Sequence, residues 1–352
     1  MNDDAHPILT QCHGTLGVIT LNRPRALNAL NLDVVQGIGA ALDAWEADES
    51  VSAVLFLGAG EKAFCAGGDL KDFYTAKAKD NDYSDISIPE IFFGAEYRLN
   101  HRIFNYPKPT IAFMDGIVMG GGFGIGGHCD YPITTAKTMF SMPETAIGFF
   151  PDIAAMYHLT RSPDGAGKYI ALSADRLNAE DMHEAAIASH HIADLSAQEL
   201  IDVLEGADNI AAVLDQYSSQ PVQDGVLSSH SSEIGLYFGG ETLADIMAEL
   251  EDSETPFAQK TLALLKSRAP LSLAVTAAQY ERARGQSFDA VIQQDFTLAK
   301  NFMRAPDIYE GIRAILIDKD YAAQWNPASI DDVIQSDVER YLTAHQSDLF
   351  GA

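Results

Sequence analysis

Residues 51–58 read VSAVLFLG, a run almost wholly apolar. It has no polar face to turn toward water. It suits a strand covered on both sides, as in a parallel sheet with helices above and below. Parallel neighbours need crossover connections, and the flanking segments supply them. LGVITLNR (Leu16–Arg23) alternates and is rich in β-formers, which predicts another strand. Between the two, LDVVQGIGAALDAWEAD carries Val34, Val35, Ile38, Leu42 and Trp45 on one helical face. A helix is expected from Pro89 to Asn105, stopped by the prolines of YPKP, and TIAFMDG follows as a strand. The polar stretch TAKAKDNDYSDISIPE (75–90) reads as a mobile surface loop. Strand–helix–strand alternation over the first 160 or so residues predicts an α/β architecture. Beyond it the chain reads as helical. TPFAQKTLALLKSR, PLSLAVTAAQYERAR, FDAVIQQDFTLAKNFM and PDIYEGIRAILI are amphipathic segments separated by Pro or Gly.

Fifty acidic residues against 23 basic ones leave a net charge of −27. That balance argues against nucleic acid and against anionic membrane surfaces. An anionic ligand would need local cations to overcome the global field. No apolar run reaches the ~18 residues of a membrane span. The segment MNDDAHPILT is acidic, unlike a signal or transit peptide. Three widely spaced cysteines, Cys12, Cys65 and Cys129, fit a reducing compartment and no disulfide framework. A cytoplasmic protein is the expectation.

The segment MGGGFGIGGHCD (Met119–Asp130) holds six glycines in twelve residues. Glycine lets backbone approach a ligand closely and leaves amide N–H groups free to donate. Three readings follow. Gly122, Gly124 and Gly127 satisfy G-x-G-x-x-G, with Glu144 about 20 residues beyond as a dinucleotide fingerprint asks. Alternatively, FCAGGD and MGGG each follow an apolar strand and each supply one amide to a carbonyl oxygen that becomes an oxyanion. The third reading is tight helix–strand packing. Locally, Asp152 after Pro151 has the pattern of a helix N-cap. Glu96 reads as a solvated or salt-bridged helical acid. His128–Asp130 reads as the packed end of a helix, since adjacent residues rarely converge on one metal ion. Cys65 lacks a nearby His in sequence to act as its base.

FCAGGDL together with AFMDGIVMGGGFGIGGHCDYPITTAKTMFSMPETAIGFFPD resembles the crotonase, or enoyl-CoA hydratase/isomerase, superfamily. ITLNRPRALNAL resembles the family's first strand and CoA-contacting turn. MPETAIGFFPD and APDIYEGIRAILIDKDYAAQWNP resemble the 3-hydroxyisobutyryl-CoA hydrolases within it. The similarity runs from about Leu16 to Pro327. It implies a crotonase-type spiral of ββα units with a helical C-terminal region. Residues 1–200 would form the core with the CoA and acyl sites, and 201–352 a mainly helical region covering the acyl pocket.

The resemblance also implies roles. The amides of Gly68 and Gly121 would form the oxyanion hole, and Glu144 and Asp152 would line the reacting carbonyl. Glu96, Asp69 and Gly120 would contact substrate. Arg25, Ala26, Leu27, Lys62 and Lys71 would lie near CoA, with Lys319 reaching it from the C-terminal helices. Hydratases of the superfamily carry a Glu two residues after the last glycine of GGG, where this chain has Gly124. They usually have glycine where this chain has Asp152. The implied activity is hydrolysis of 3-hydroxyisobutyryl-CoA, with 3-hydroxypropionyl-CoA as a second substrate and no metal or redox cofactor. Glu144 would act as general base on water or attack the carbonyl itself. Alternatives are an enoyl-CoA hydratase or isomerase, an acyl-CoA-binding protein without chemistry, and a dinucleotide-dependent oxidoreductase. A homo-oligomer is compatible with the resemblance.

Overall fold

The structure, a computed structural model, describes residues 6–77 and 83–351. The acidic residues 1–5, part of the segment considered for targeting, lie outside them. Two compact units interleave along the chain. The first comprises Met1–Gly68, Arg98–Phe140 and Arg176–Gly225; the second comprises Asp69–Tyr97, Ser141–Asp175 and Val226–Ala352.

The first unit is built on a sheet of six strands: β1 (Ile8–His13), β2 (Leu16–Leu21), β3 (Ala53–Gly58), β5 (Thr110–Met114), β7 (Tyr131–Thr134) and β9 (His190–His191), in that spatial order. β1 runs antiparallel to β2, and every other neighbour is parallel. A second sheet has the order β4 (Ala63–Cys65), β6 (Ile117–Met119) and β8 (Met139–Ser141). Successive strands therefore alternate between the sheets: β3 then β4, β5 then β6, β7 then β8. A helix follows each pair, which is the expected ββα repeat.

Residues 53–57 of β3 are all buried, as their lack of a polar face demands. On one sheet face Leu16, Val18, Leu55, Leu57, Ile111, Phe113 and Ile133 pack with Leu200, Ile201, Leu204, Ile210 and Leu214. The last five come from the helices Ala197–Leu204 and Ile210–Tyr217. Each such side chain contributes roughly 1.5–3 kcal/mol by leaving water. The helix Leu32–Glu46 starts where the Asn31 side chain accepts the Val34 N–H, and it buries the five apolar residues of its periodic face.

The second unit is helical after Val226, and its boundaries follow the punctuation of the chain. Pro256, Pro270 and Pro306 each open a helix: Pro256–Lys266, Pro270–Ala283 and Pro306–Ile312. Ser287 caps Phe288–Phe302 by accepting the Ala290 N–H. Among the described residues no helix is long and apolar enough to cross a membrane.

β1 carries no sequence signal, because an edge strand with four exposed residues shows no apolar alternation. One expectation is corrected. The stretch 75–90 is not simply a loop. Its start belongs to the helix Lys71–Lys77 and its end to the helix Ser87–Phe104. Phe73 packs edge-on against Phe92, with ring centroids 5.4 Å apart. Residues 78–82 of that stretch lie outside the described ones.

Candidate active site

Two glycine-bearing loops abut in the first unit. Gly67 has φ +92°, and a Cβ built on it would stand 2.9 Å from the Met119 carbonyl oxygen and 3.4 Å from the Gly121 nitrogen. Only glycine serves there, for its backbone angle and for its space. Gly121 is the first residue of the helix Gly121–Gly126, where a backbone N–H has no carbonyl partner within the helix. Gly120, at φ 46°, precedes it. Gly68 pairs with Leu30 in an isolated bridge, and the Gly67 carbonyl accepts the Leu30 N–H at 2.8 Å. The Leu27 carbonyl accepts the Ala66 N–H at 3.0 Å. The short turn Pro24–Ala26, with Leu27 left-handed at φ 52°, is thereby tied to the FCAGGD loop. So Arg25, Ala26 and Leu27 stand beside one of the two loops that carry Gly68 and Gly121.

Position 124, a glycine, lies inside the same short helix. Its carbonyl accepts the buried Asn100 amide at 3.0 Å. The neighbouring HCD triplet is occupied structurally. His128 packs on Phe123, the Cys129 thiol donates to the Ile125 carbonyl, and Asp130 accepts from Thr110 N–H and hydroxyl.

The carboxylates gather in the second unit. Glu96 lies on the helix Ser87–Phe104 and is 2% exposed; Glu144, which opens the turn Glu144–Ile147, and Asp152 are each 5% exposed. The default reading of Glu96 as a solvated or paired acid is thus corrected. Asp152 caps no helix: Ala155–Leu159 begins after Ala154 without a side-chain cap. Its carboxylate instead accepts the Tyr97 hydroxyl at 2.6 Å. A fourth acid joins them. Asp295, wholly buried, accepts the Ala154 N–H at 2.7 Å and the Gln279 amide at 2.7 Å. Tyr97, Gln279 and Asp295 escaped the sequence reading. A signal was present for one of them. Asp295 interrupts the apolar face formed by Val291, Ile292, Leu298 and Ala299, and an acid on such a face needs a partner.

The surroundings are apolar and aromatic. Phe93 stacks on Phe149 with centroids 5.5 Å apart and contacts Tyr97 at 5.6 Å; Phe296 meets Tyr97 edge-on. Burial there opposes ionisation. It holds the Glu96 carboxyl well above its usual range, with the Asp152 charge adding to the effect. Glu144 is raised likewise, first by burial and then by Asp152. Asp152 is pushed up to about 7 by burial, against the opposing pull of the Tyr97 hydrogen bond. Asp295 is also held well above the carboxylate range by burial. Among the described residues no Lys or Arg forms an ion pair with these four. Oε1 of Glu96 and Oε2 of Glu144 have no hydrogen-bond partner. Burial of each acid, with the Asp152 charge adding to it at Glu96, Glu144 and Asp295, favours the protonated forms. A group near 7 both takes and gives a proton at little cost. Among the described residues no three His, Cys, Asp or Glu are arranged to hold a metal.

The remaining candidates are peripheral. Arg25 and Lys62 are exposed in the first unit. Asp69 is half-buried, and Lys71 and Lys319 are exposed, all in the second. Lys319, left-handed at φ 57°, sits between Asp318 and Asp320, whose carboxylates accept from Arg313 at 2.7 and 2.6 Å.

A stability consequence follows. The folded state binds the Asp152 proton more tightly than the unfolded chain does, so its contribution declines as pH rises from about 4 to about 7. Asp152→Asn keeps an acceptor for Tyr97 and removes that decline. Melting curves are expected to match wild type near pH 4 to 5 and to lie increasingly higher toward about pH 8. A difference independent of pH would contradict a desolvated Asp152.

The sequence profile of the enoyl-CoA hydratase/isomerase family matches residues 16–342. The 3-hydroxyisobutyryl-CoA hydrolase, mitochondrial, of Xenopus laevis is 39% identical over 97% of this chain and 89% of its own length. The protein of that name from Homo sapiens is 36% identical over 97% and 89%. Among solved structures, a carnitinyl-CoA dehydratase from Mycobacterium thermoresistibile superposes with a TM-score of 0.90 at 35% identity, covering 98% of each chain. An enoyl-CoA hydratase from Rhodobacter sphaeroides 2.4.1 gives 0.88 at 33% identity, covering 96% of this chain and 97% of its own.

Proposed function

The chain belongs to the enoyl-CoA hydratase/isomerase family, and we propose that within it the protein is a thioesterase that hydrolyses 3-hydroxyisobutyryl-CoA to 3-hydroxyisobutyrate and CoA, a step of valine breakdown. The observation that carries the reading is the pair Glu144 and Asp152, both buried and both with raised pKa values, combined with glycine at position 124. Two carboxylates of this kind suit acyl transfer to water. The names of the hydrolase relatives support the same substrate.

In the proposed reaction the amides of Gly68 and Gly121 donate to the thioester oxygen as it becomes negative. Each donor of this type is worth about 3–4 kcal/mol in the transition state. Glu144 in its ionised form takes a proton from water as the water oxygen bonds to the carbonyl carbon. Alternatively, Glu144 bonds to that carbon itself, the thiolate leaves, and water opens the anhydride. Collapse of the tetrahedral intermediate breaks the carbon–sulfur bond. Asp152, with a pKa of about 7, supplies the proton that the departing thiolate needs. Glu96 faces the substrate's hydroxyl, for which its unpartnered oxygen provides an acceptor. No electrons are gained or lost overall, so the proposal includes no redox cofactor, and it invokes no metal. Arg25, Lys62, Lys71 and Lys319 would counter the phosphates of CoA within a chain of net charge −27. Asp69, Ala26, Leu27 and Gly120 would complete the contacts. 3-Hydroxypropionyl-CoA is the second expected substrate. A cytoplasmic location is proposed with it, supported by three cysteines outside any disulfide; the vertebrate relatives are named mitochondrial.

A second reading, hydration of an enoyl-CoA, is favoured by the names of the two superposing structures. The two readings separate in one assay. Free-thiol release from 3-hydroxyisobutyryl-CoA is measured beside crotonyl-CoA hydration on the same preparation. Rapid thiol release with negligible hydration is expected. Hydration without thiol release would overturn the thioesterase.

A further inference from the structure

Asp152 is followed by two consecutive left-handed residues, Ile153 at φ 55° and Ala154 at φ 56°. L-residues adopt that conformation at a cost, and a β-branched isoleucine more than most. Something must hold it. The Ala154 N–H donates to Oδ2 of Asp295 at 2.7 Å. Oδ1 of Asp295 accepts the Gln279 amide at 2.7 Å, and that same Nε2 lies 3.4 Å from the Pro151 carbonyl. The clamp therefore grips the backbone on both sides of Asp152. Its two members sit on different helices, Pro270–Ala283 and Phe288–Phe302, and both are essentially without exposure. A buried acid opposed by desolvation and lacking an ion pair is a poor choice for filling space. The geometry accounts for it as the acceptor that the strained turn requires.

Resting on the thioesterase reading, we propose that Asp295 and Gln279 are positioning residues that hold Pro151–Ala154 in its left-handed turn. The turn aims the Asp152 carboxylate at Tyr97 and at the reacting carbonyl. Neither residue needs to touch substrate. Their contribution is to orientation, and a displacement of about 1 Å in a reacting group costs on the order of a hundredfold in rate.

Three variants test this, each compared with wild type for kcat, KM and melting temperature. Asp295→Leu removes both acceptors and is expected to lower kcat about a hundredfold while KM stays within about twofold. Asp295→Asn retains the acceptor for Ala154 but not the one for Gln279, so it is expected to keep clearly more turnover than the Leu variant and less than wild type. Asp295→Leu combined with Ala154→Gly is expected to regain about tenfold, because glycine adopts the left-handed region without strain. Gln279→Met serves if Asp295→Leu does not fold, with a smaller loss of kcat expected. Two results overturn the proposal. One is Asn as inactive as Leu, which would mean that the charge of Asp295 acts directly. The other is full kcat in the folded Leu variant. Crystal structures of wild type and Asp295→Leu give a readout that needs no substrate: residues 153 and 154 are expected to leave the left-handed region in the variant, and their retention there sinks the proposal. Absence of thiol release by the wild type would fail the thioesterase reading alone, leaving that structural arm to stand or fall separately.

Discussion

Glu144→Gln is expected to lower thiol release from 3-hydroxyisobutyryl-CoA by about 10³-fold or more while CoA binding, followed by calorimetric titration, stays near wild type. The substitution changes little in size or shape. It removes the basic oxygen whichever route operates, since a neutral amide neither deprotonates water nor attacks a thioester. It also relieves the site. Glu144 is buried among Asp152 and Glu96, and its charge is opposed by both burial and repulsion. The folded protein should therefore tolerate the amide or gain stability from it, as strained functional groups often allow. The combination of lost turnover, kept CoA affinity and undiminished melting temperature distinguishes a reacting group from a structural one. A fully active Gln variant would remove Glu144 from the chemistry.

Gly122→Ala is expected to disrupt the protein itself. A Cβ at that position would lie 2.2 Å from the Cys65 carbonyl oxygen and 2.9 Å from its carbon. Those are backbone atoms of β4 and cannot rotate aside. Relief requires separating the helix Gly121–Gly126 from the strand that leads into the Gly67–Gly68 loop. Overpacking commonly costs about 1–3 kcal/mol, and a backbone clash this short lies at or beyond the upper end. Lower melting temperature and lost turnover should appear together, since the same displacement would move the amides of Gly68 and Gly121 apart. Gly39→Ala is the control. It lies within the helix Leu32–Glu46 with nothing within 4 Å of its Cβ, and it is expected to stabilise by roughly 0.5–1 kcal/mol. Equal effects of the two alanines on melting would refute the packing account of Gly122.

The legible parts of the fold were those with long, regular signals. β3 was readable because a strand buried on both faces needs a continuous apolar run. The helix Leu32–Glu46 was readable from five apolar residues at helical spacing. The C-terminal helices announced themselves through Pro256, Pro270 and Pro306 at their starts. The strands β4, β6 and β8, of three residues each, are too short to show a period and were not singled out. β1 was missed because its side chains face water on an edge.

At the site, the residue types and the two glycine motifs were determined by the sequence alone, since a motif is a local string and a resemblance compares strings. Glu144, Asp152, Gly68 and Gly121 were nameable without coordinates. Their environment was not. Local pattern alone reads Glu96 as a solvated or salt-bridged acid and Asp152 as a helix cap, while the resemblance puts both at the site; in the fold both are buried. The hydroxyl that binds Asp152 lies 55 residues away on Tyr97, and the acid that holds Ala154 lies 141 residues away at Asp295. Desolvation and charge repulsion depend on what surrounds a group in space, and no local pattern carries that information across such separations. Which carboxylates exist was decided by the sequence; how strongly each is pushed toward its protonated form was decided only by the tertiary structure, because burial sets the energy of each charge.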